Sequence, residues 1–189
     1  MKKLLLIAGA LLAMQANTAV AAEIKPYVGV GVGLFELDPG QNKQSTFGGF
    51  AFVGADLHEY FAAELRVGGT GPHEREEVGP LTETFQVNWF ASALAKPKIE
   101  IVDGLDLYGL VGVTSINSSI TPLNSLIEQS VTKTAFTFGL GTQYHYNNKL
   151  SAGLEWVRYS TNADATTKNT AAYDGLDVNG FTLTAAYSF

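Results

Sequence analysis

The side chains with the clearest chemical potential are polar and charged groups that recur at every second position of short apolar segments. Among them, Glu64, Arg66 and Glu155 form a carboxylate–guanidinium–carboxylate set. Such a set either gates ion passage or forms a buried ion-pair network, because a charge removed from water needs a partner. The positions that share this pattern are Glu64, Arg66, Gln86, Asn88, Asp106, Gln143, His145 and Glu155. We predict that they meet in a polar network that fills a narrow interior, with a gate as the alternative.

Motifs typical of catalysis or cofactor binding are weak in this chain. His58, His73 and His145 are scattered and lack the spacing of metal ligands. Glycines alternate over residues 29–33, but a dinucleotide site needs a strand–turn–helix context that is not visible here. The chain has no cysteine, so a thiolate nucleophile or thiolate metal site is excluded. We therefore predict no catalytic residues, no metal and no cofactor.

Composition narrows the class of protein. The chain has 189 residues, 46% of them apolar and 16% charged, with a formal net charge of −6. This length favours a single domain, and the acidic balance argues against a nucleic-acid partner.

The first 22 residues have the pattern of a cleaved secretory signal. Lys2 and Lys3 precede an apolar stretch over residues 4–14, and small residues follow at 19–21. We expect residues 1–22 to be a signal peptide and residues 23–189 to be the exported domain.

The exported part repeats one period. In residues 180–189 the apolar side chains alternate strictly with small or polar ones, which predicts a two-faced β-strand. Similar segments give eight candidate strands: 28–34, 47–57, 61–68, 85–93, 107–114, 136–143, 150–156 and 180–189. Residues 47–57 are apolar on both faces, which leaves their register open. Alternation assigns Arg158 to the apolar face, so this residue lies either at a rim of the barrel or beyond a register shift.

Three features favour a membrane barrel with its apolar face outward: the composition of the polar face, the alternation of short and long connections, and aromatic residues near the predicted periplasmic ends. The polar face is rich in Gly, Ala, Ser and Thr and nearly lacks lysine, as a narrow eight-stranded interior requires. Short connections near 58–59, 97–104 and 147–148 alternate with long ones at 36–46, 70–81, 117–130 and 161–176. Periplasmic turns alternate with extracellular loops in this way in outer-membrane barrels. The alternative is a soluble lipocalin-type barrel with the apolar face inside. The aromatic residues expected to form an interfacial girdle are Tyr60, Phe61, Tyr144, Tyr146, Tyr187 and Phe189.

With these features the chain resembles the small eight-stranded outer-membrane barrels of Gram-negative bacteria, the OmpA-like and OmpX/Ail-like transmembrane domains. The resemblance is carried by the signal sequence, by the glycine-alternating residues 27–33, and by residues 60–66, 150–156 and 185–189. It implies an all-β, antiparallel, up-and-down transmembrane barrel. It also implies that the last strand carries the signal read by the barrel assembly machinery, on Phe181, Leu183, Tyr187 and Phe189.

The predicted function is therefore a structural or surface-interaction role in the outer membrane. We expect a monomer with periplasmic termini, in contact with lipid and lipopolysaccharide, whose four loops meet an extracellular partner. Apolar residues of one loop are candidates for that contact: Ile120, Leu123, Leu126 and Ile127. A narrow porin-like channel is the main alternative. A barrel enzyme acting on lipid A is a weaker one.

Overall fold

The structure, a computed structural model of the chain, describes residues 24–38, 44–71, 73–76, 82–121, 129–160 and 177–189. Within these residues the regular elements are β-strands: β1 Lys25–Asp38, β2 Gln44–His58, β3 Phe61–Thr70, β4 His73–Glu76, β5 Thr82–Val102, β6 Leu105–Thr121, β7 Gln129–His145, β8 Leu150–Ser160 and β9 Asp177–Ser188. No helix in the described part of the chain is long and apolar enough to cross a membrane. The predicted signal peptide lies outside the described residues.

The strands form one closed antiparallel barrel. Each strand pairs with its neighbours in the order β3-β2-β1-β9-β8-β7-β6-β5-β4, and β3 also pairs with β5. The short strand β4 pairs with the loop-side part of β5, next to the segment that pairs with β3. Strands β3 and β4 therefore share one position in the wall, and the barrel has the predicted eight-stranded, up-and-down architecture.

The apolar side chains face outward, as predicted. On β9, Phe181 and Leu183 are 59% and 60% exposed, whereas Thr182 between them is 3% exposed. The same alternation holds on β3, where Leu65 is exposed and Glu64 is buried. A surface of exposed leucine, valine and phenylalanine around a polar interior is the inverse of a soluble protein and suits a lipid solvent. The lipocalin-type alternative is therefore wrong.

Inward-facing aromatic rings lie over glycines of the neighbouring strand. Tyr27 is paired in register with Gly54, and a Cβ atom added to Gly54 would lie 2.4 Å from the Tyr27 ring. Tyr108 crosses Gly141 in the same way, also at 2.4 Å. These glycines supply the space in which large rings lie flat against the inner wall, a pattern also used to pin strand register.

Three details of register differ from the sequence pattern or were left open by it. On β2, Phe50 and Phe52 face inward, which settles the register of that segment. On β5, a bulge between Val87 and Trp89 inserts one extra residue opposite β6. Val87, predicted to face outward, is consequently buried, and Asn88, predicted to face the interior, is exposed. Pairing across Arg158 is continuous on both sides, so no register shift occurs there.

The strands run further than predicted at both ends. Strand β5 continues through Pro97 to Val102, so the turn predicted to begin at residue 97 is reduced to Asp103 and Gly104. Gly104 has φ of 77°, a conformation that glycine adopts without strain. Strands β6 and β7 extend into the predicted loop 117–130, of which residues 122–128 lie outside the described residues, as do residues 161–176.

Candidate functional site: the barrel lumen

The centre of the lumen holds a buried ion-pair network. Glu64 and Arg66 lie two positions apart on β3 and therefore point to the same side, while Glu155 reaches them from β8. The Arg66 guanidinium donates to both carboxylate oxygens of Glu155, at 2.5 and 2.9 Å. Its Nε also donates to Glu64 Oε1 at 2.8 Å. The side chains of all three are at most 1% exposed. The sequence pattern therefore selected three residues that the structure brings into direct contact.

Hydroxyl groups complete the coordination of the two carboxylates. Tyr27 donates to Glu64 Oε2 at 3.1 Å, and Tyr108 donates to Glu155 Oε2 at 3.1 Å. Thr182 donates to Glu155 Oε1 at 2.9 Å. The sequence does not reveal these partners, because Tyr27 and Tyr108 each lie in an ordinary alternating strand segment. Their role depends on which strands adjoin across the barrel.

Lys96 belongs to the network but was not among the residues that the sequence pattern singled out. Its Nζ lies 3.4 Å from Glu64 Oε2 and donates to Gln143 Oε1 at 2.7 Å. It also lies 4.2 Å from the centroid of the Tyr108 ring, a cation–π contact. Pro97 suggested a turn at this point. The continuing alternation of Ser92, Lys96 and Lys98 was the signal that could have placed Lys96 inside.

The network is electrically balanced. Two carboxylates, Glu64 and Glu155, face two cations, Arg66 and Lys96, so the formal charge of the set is zero. Within the described residues, every buried side-chain nitrogen or oxygen has a hydrogen-bond partner. Because a buried charge is tolerated only when it is paired and fully hydrogen-bonded, this arrangement suits a fixed structural network.

A second polar group lies beside the network. Ser92, Thr114 and Thr137 come from β5, β6 and β7 and form a chain of hydroxyls with both spacings at 2.7 Å. Thr114 and Thr137 have no exposed surface. The chain joins three strands through the lumen and leaves no hydroxyl unpaired.

The lumen opens into a charged vestibule at the end that carries the short turns. Its volume is about 760 Å³. His145 Nε2 lies 3.1 Å from Asp106 Oδ2, so these two predicted residues do meet, but in the vestibule rather than in the central network. Lys98 lies 2.8 Å from Asp56 and 3.8 Å from Asp106. Gln143 joins the two regions, since it accepts from Lys96 and donates to Ser151 at 2.8 Å.

Of the remaining predicted network residues, Asn88 lies outside the network, and the side chain of Gln86 lies outside the described part of the structure. The bulge on β5 places the exposed Asn88 beside Asn117, to which its amide donates at 3.0 Å. Phe90 is the last residue of β5 that pairs with β3. Gln86 lies on β5 beyond it, toward the loop end. That the whole chain binds no metal stays a prediction from the sequence. The described residues contain no group of three or more His, Asp or Glu side chains suited to a metal ion.

The architecture agrees with comparisons with known proteins. Residues 4–189 match the family described as "Outer membrane protein beta-barrel domain". The chain belongs to this family. No match is found among proteins with curated descriptions.

Solved structures of outer-membrane barrels have the same fold. Ail of Yersinia pestis, solved in complex with the heparin analogue sucrose octasulfate, is 18% identical with a TM-score of 0.61, over 88% of this chain and 99% of Ail. Neisserial surface protein A is 8% identical with a TM-score of 0.66, over 87% and 97% of the two chains. The N-terminal barrel domain of Pseudomonas aeruginosa OprF is 16% identical with a TM-score of 0.55, over 86% and 97%. At these identities the likeness shows the fold alone.

As an outer-membrane barrel, the protein exposes its predicted aromatic residues on the strands and turns at the short-turn end. The expected girdle residues are all exposed: Tyr60, Phe61, Tyr144, Tyr146, Tyr187 and Phe189. Tyr60 lies in the turn after β2, and Tyr146 in the turn after β7. The residues expected to be read during assembly also face outward on β9 or at its end, with Tyr187 and Phe189 in edge-to-face contact at 5.4 Å.

Proposed function

We propose that the protein is a closed, non-conducting barrel that stabilises the outer membrane and presents its long connections for contact with an extracellular partner. The observation that carries this proposal is the filled lumen, which contains both the balanced network of Glu64, Arg66, Lys96 and Glu155 and a cluster of buried apolar side chains. Each carboxylate is engaged by a cation and by hydroxyl donors, which leaves neither one available as a general acid or base. We therefore also propose that the barrel is not an enzyme.

The proposed orientation places both termini in the periplasm. The ends of the described barrel lie together, because the Phe189 amide donates to the carbonyl of Pro26 at 3.1 Å. They lie at the end with the short turns, since the amide of Ser188 donates to the carbonyl of Lys149, in the turn after β7, at 2.8 Å. Short turns on the periplasmic side and long loops outside are the usual arrangement of these barrels.

The proposed partners follow from this placement. The outer wall contacts acyl chains and lipopolysaccharide, the last strand is recognised by the barrel assembly machinery, and the barrel acts as a monomer. The long connections, whose central residues lie outside the described residues, form the surface available to an extracellular partner. Rigid scaffolds commonly carry binding in such loops.

Conductance of the refolded protein tests the closed lumen. Wild-type protein inserted in planar lipid bilayers should give no steady current, with a known porin as the positive control. Insertion is checked by the different migration of unboiled and boiled samples on a denaturing gel. A reproducible unitary current from correctly folded wild-type protein would support the narrow channel instead.

A gene deletion tests the envelope and contact roles separately. The deletion strain should become more sensitive to detergent and to large antibiotics, and wild-type protein should restore resistance. A variant with residues 122–128 replaced by a Gly-Ser linker should also restore resistance. Cells that carry this variant should, however, no longer adhere to the extracellular partner. Full adhesion by the linker variant would reject this loop as the contact site.

A further inference from the structure

On the side of Arg66 away from the short turns, a set of buried apolar side chains among the described residues packs together in the lumen. We call this set the apolar layer. Its members come from five strands and are at most 5% exposed: Phe35, Val87, Phe90, Ile116, Tyr159 and Val178. Pairing of Phe90 with Ile116 and of Tyr159 with Val178 places these residues at one level toward the loop end.

The layer is closely packed around Phe90. The ring of Phe90 lies 6.1 Å from Phe35, 5.7 Å from Tyr159 and 6.2 Å from Phe50, measured between centroids. The space left among these residues is about 10 Å³. One water needs about 10–15 Å³ and two to four polar partners, so this space is too small and too apolar for a file of several waters.

Glycines and one bulge in the surrounding strands make room for this packing. Phe35 lies against Gly48 and Gly180, where an added Cβ would lie 2.8 and 3.2 Å from its ring. The bulge at Asn88 turns Val87 into the lumen. The glycines and the bulge therefore both let apolar side chains occupy the same level of the barrel.

The half of the lumen on the side of the short turns is charged instead of apolar. The vestibule of about 760 Å³ is lined by charged residues that include Lys98 and Asp106. The ion-pair network beyond it consists of groups that water would solvate as soon as a partner was lost. The polar atoms at the apolar layer are uncharged hydroxyls: those of Tyr159 and Thr70 at its edge, and that of Thr137, which is paired in register with Tyr159 and is bonded to Thr114.

We infer that the apolar layer, and not the ion-pair network, is the barrier to water and ions. The lumen then stays closed when charges are removed from the network, whose role is to hold β3, β5 and β8 together. This inference rests on the proposed closed lumen and adds which residues close it.

The first test removes charge without touching the apolar layer. One variant carries Glu64→Gln and Lys96→Gln, which removes one charge of each sign and keeps the Arg66–Glu155 pair. A second adds Arg66→Met and Glu155→Gln. Each folded variant, verified by its heat-dependent gel migration, should be as silent as wild type in planar bilayers. A steady current from either variant would overturn the inference.

The second test makes the apolar layer polar. Phe90→Ser and Tyr159→Ser, added to the Glu64→Gln/Lys96→Gln background, should produce a steady current, whereas Phe90→Leu on that background should not. If the Tyr159 change prevents folding, Phe90→Ser alone on the same background carries the same expectation. Silence of the folded serine variant would overturn the inference.

The outcomes separate the inference from the function on which it rests. Current through the wild-type protein rejects the closed lumen itself. A silent wild type combined with a conducting charge-removal variant leaves the closed lumen intact and assigns the barrier to the ion pairs.

Discussion

The pairing of Arg66 with Glu155 should dominate the stability of the barrel interior. Replacing Arg66 by Met leaves Glu64 and Glu155 facing a single cation, Lys96, so one carboxylate loses its countercharge. The side chains involved are 0–7% exposed, so water does not compensate. Removal of one partner from a buried ion pair costs about 3–5 kcal/mol, and we expect a loss of unfolding free energy in that range.

A double-mutant cycle isolates the contribution of the pair. Arg66→Met combined with Glu155→Gln restores a net charge of zero, so the double variant should be more stable than the sum of the single losses predicts. We expect a coupling energy of roughly 2–3 kcal/mol, the upper part of the range for contacting residues, because the contact is bidentate and buried.

Equilibrium unfolding in lipid vesicles measures these energies. The two tryptophans report on the process, since Trp89 and Trp156 both lie on the outer wall and leave the lipid when the barrel unfolds. Lys149→Met in an exposed turn is the control, and it should be additive with Arg66→Met within about 0.3–0.5 kcal/mol. Additivity of Arg66→Met with Glu155→Gln would refute the account of the network.

Two further predictions concern the wall. Gly141→Ala should destabilise the barrel by at least about 1–3 kcal/mol, the cost of overpacking, because its Cβ would lie 2.4 Å from the Tyr108 ring. Gly109→Ala should have little effect, because the added Cβ would make an ordinary contact at 3.5 Å. Equal losses of unfolding free energy for the two alanine variants in urea would contradict the aromatic–glycine pairing. Leu183→Lys should cost about 2–4 kcal/mol if this residue faces the centre of the bilayer, whereas Val102→Lys beside a turn should cost about 0–1 kcal/mol. Similar costs for the two lysines would argue against the proposed membrane position.

The sequence predicted the architecture well because the strand period is local. Alternation at period two determines which side chains share a face, and a lipid solvent then determines which face lies outside. Glu64, Arg66 and Glu155 could be recognised for the same reason, since each interrupts a run of small residues on the inner face.

The remaining features depend on non-local register. Asn88 was misplaced because a single inserted residue reverses the parity beyond it, and no local signal marks that bulge. Lys96 was missed because Pro97 resembles a turn, although the pairing of Pro97 with Phe61 keeps it within the strand. Tyr27 and Tyr108 became recognisable as hydrogen-bond donors only when closure of the barrel brought β1, β3, β6 and β8 around one lumen.

The central claim is that the apolar face of the barrel meets lipid while the small and polar face lines the lumen. Because the chain has no cysteine, single spin labels can be attached cleanly at Leu183→Cys and Ala185→Cys, and at Thr184→Cys and Ala186→Cys. In vesicles, the labels at 183 and 185 should collide with dissolved oxygen far more often than with a water-soluble nickel complex. The labels at 184 and 186 should show little of that oxygen preference. The reverse pattern, with lipid contact at 184 and 186 and water contact at 183 and 185, would contradict the account.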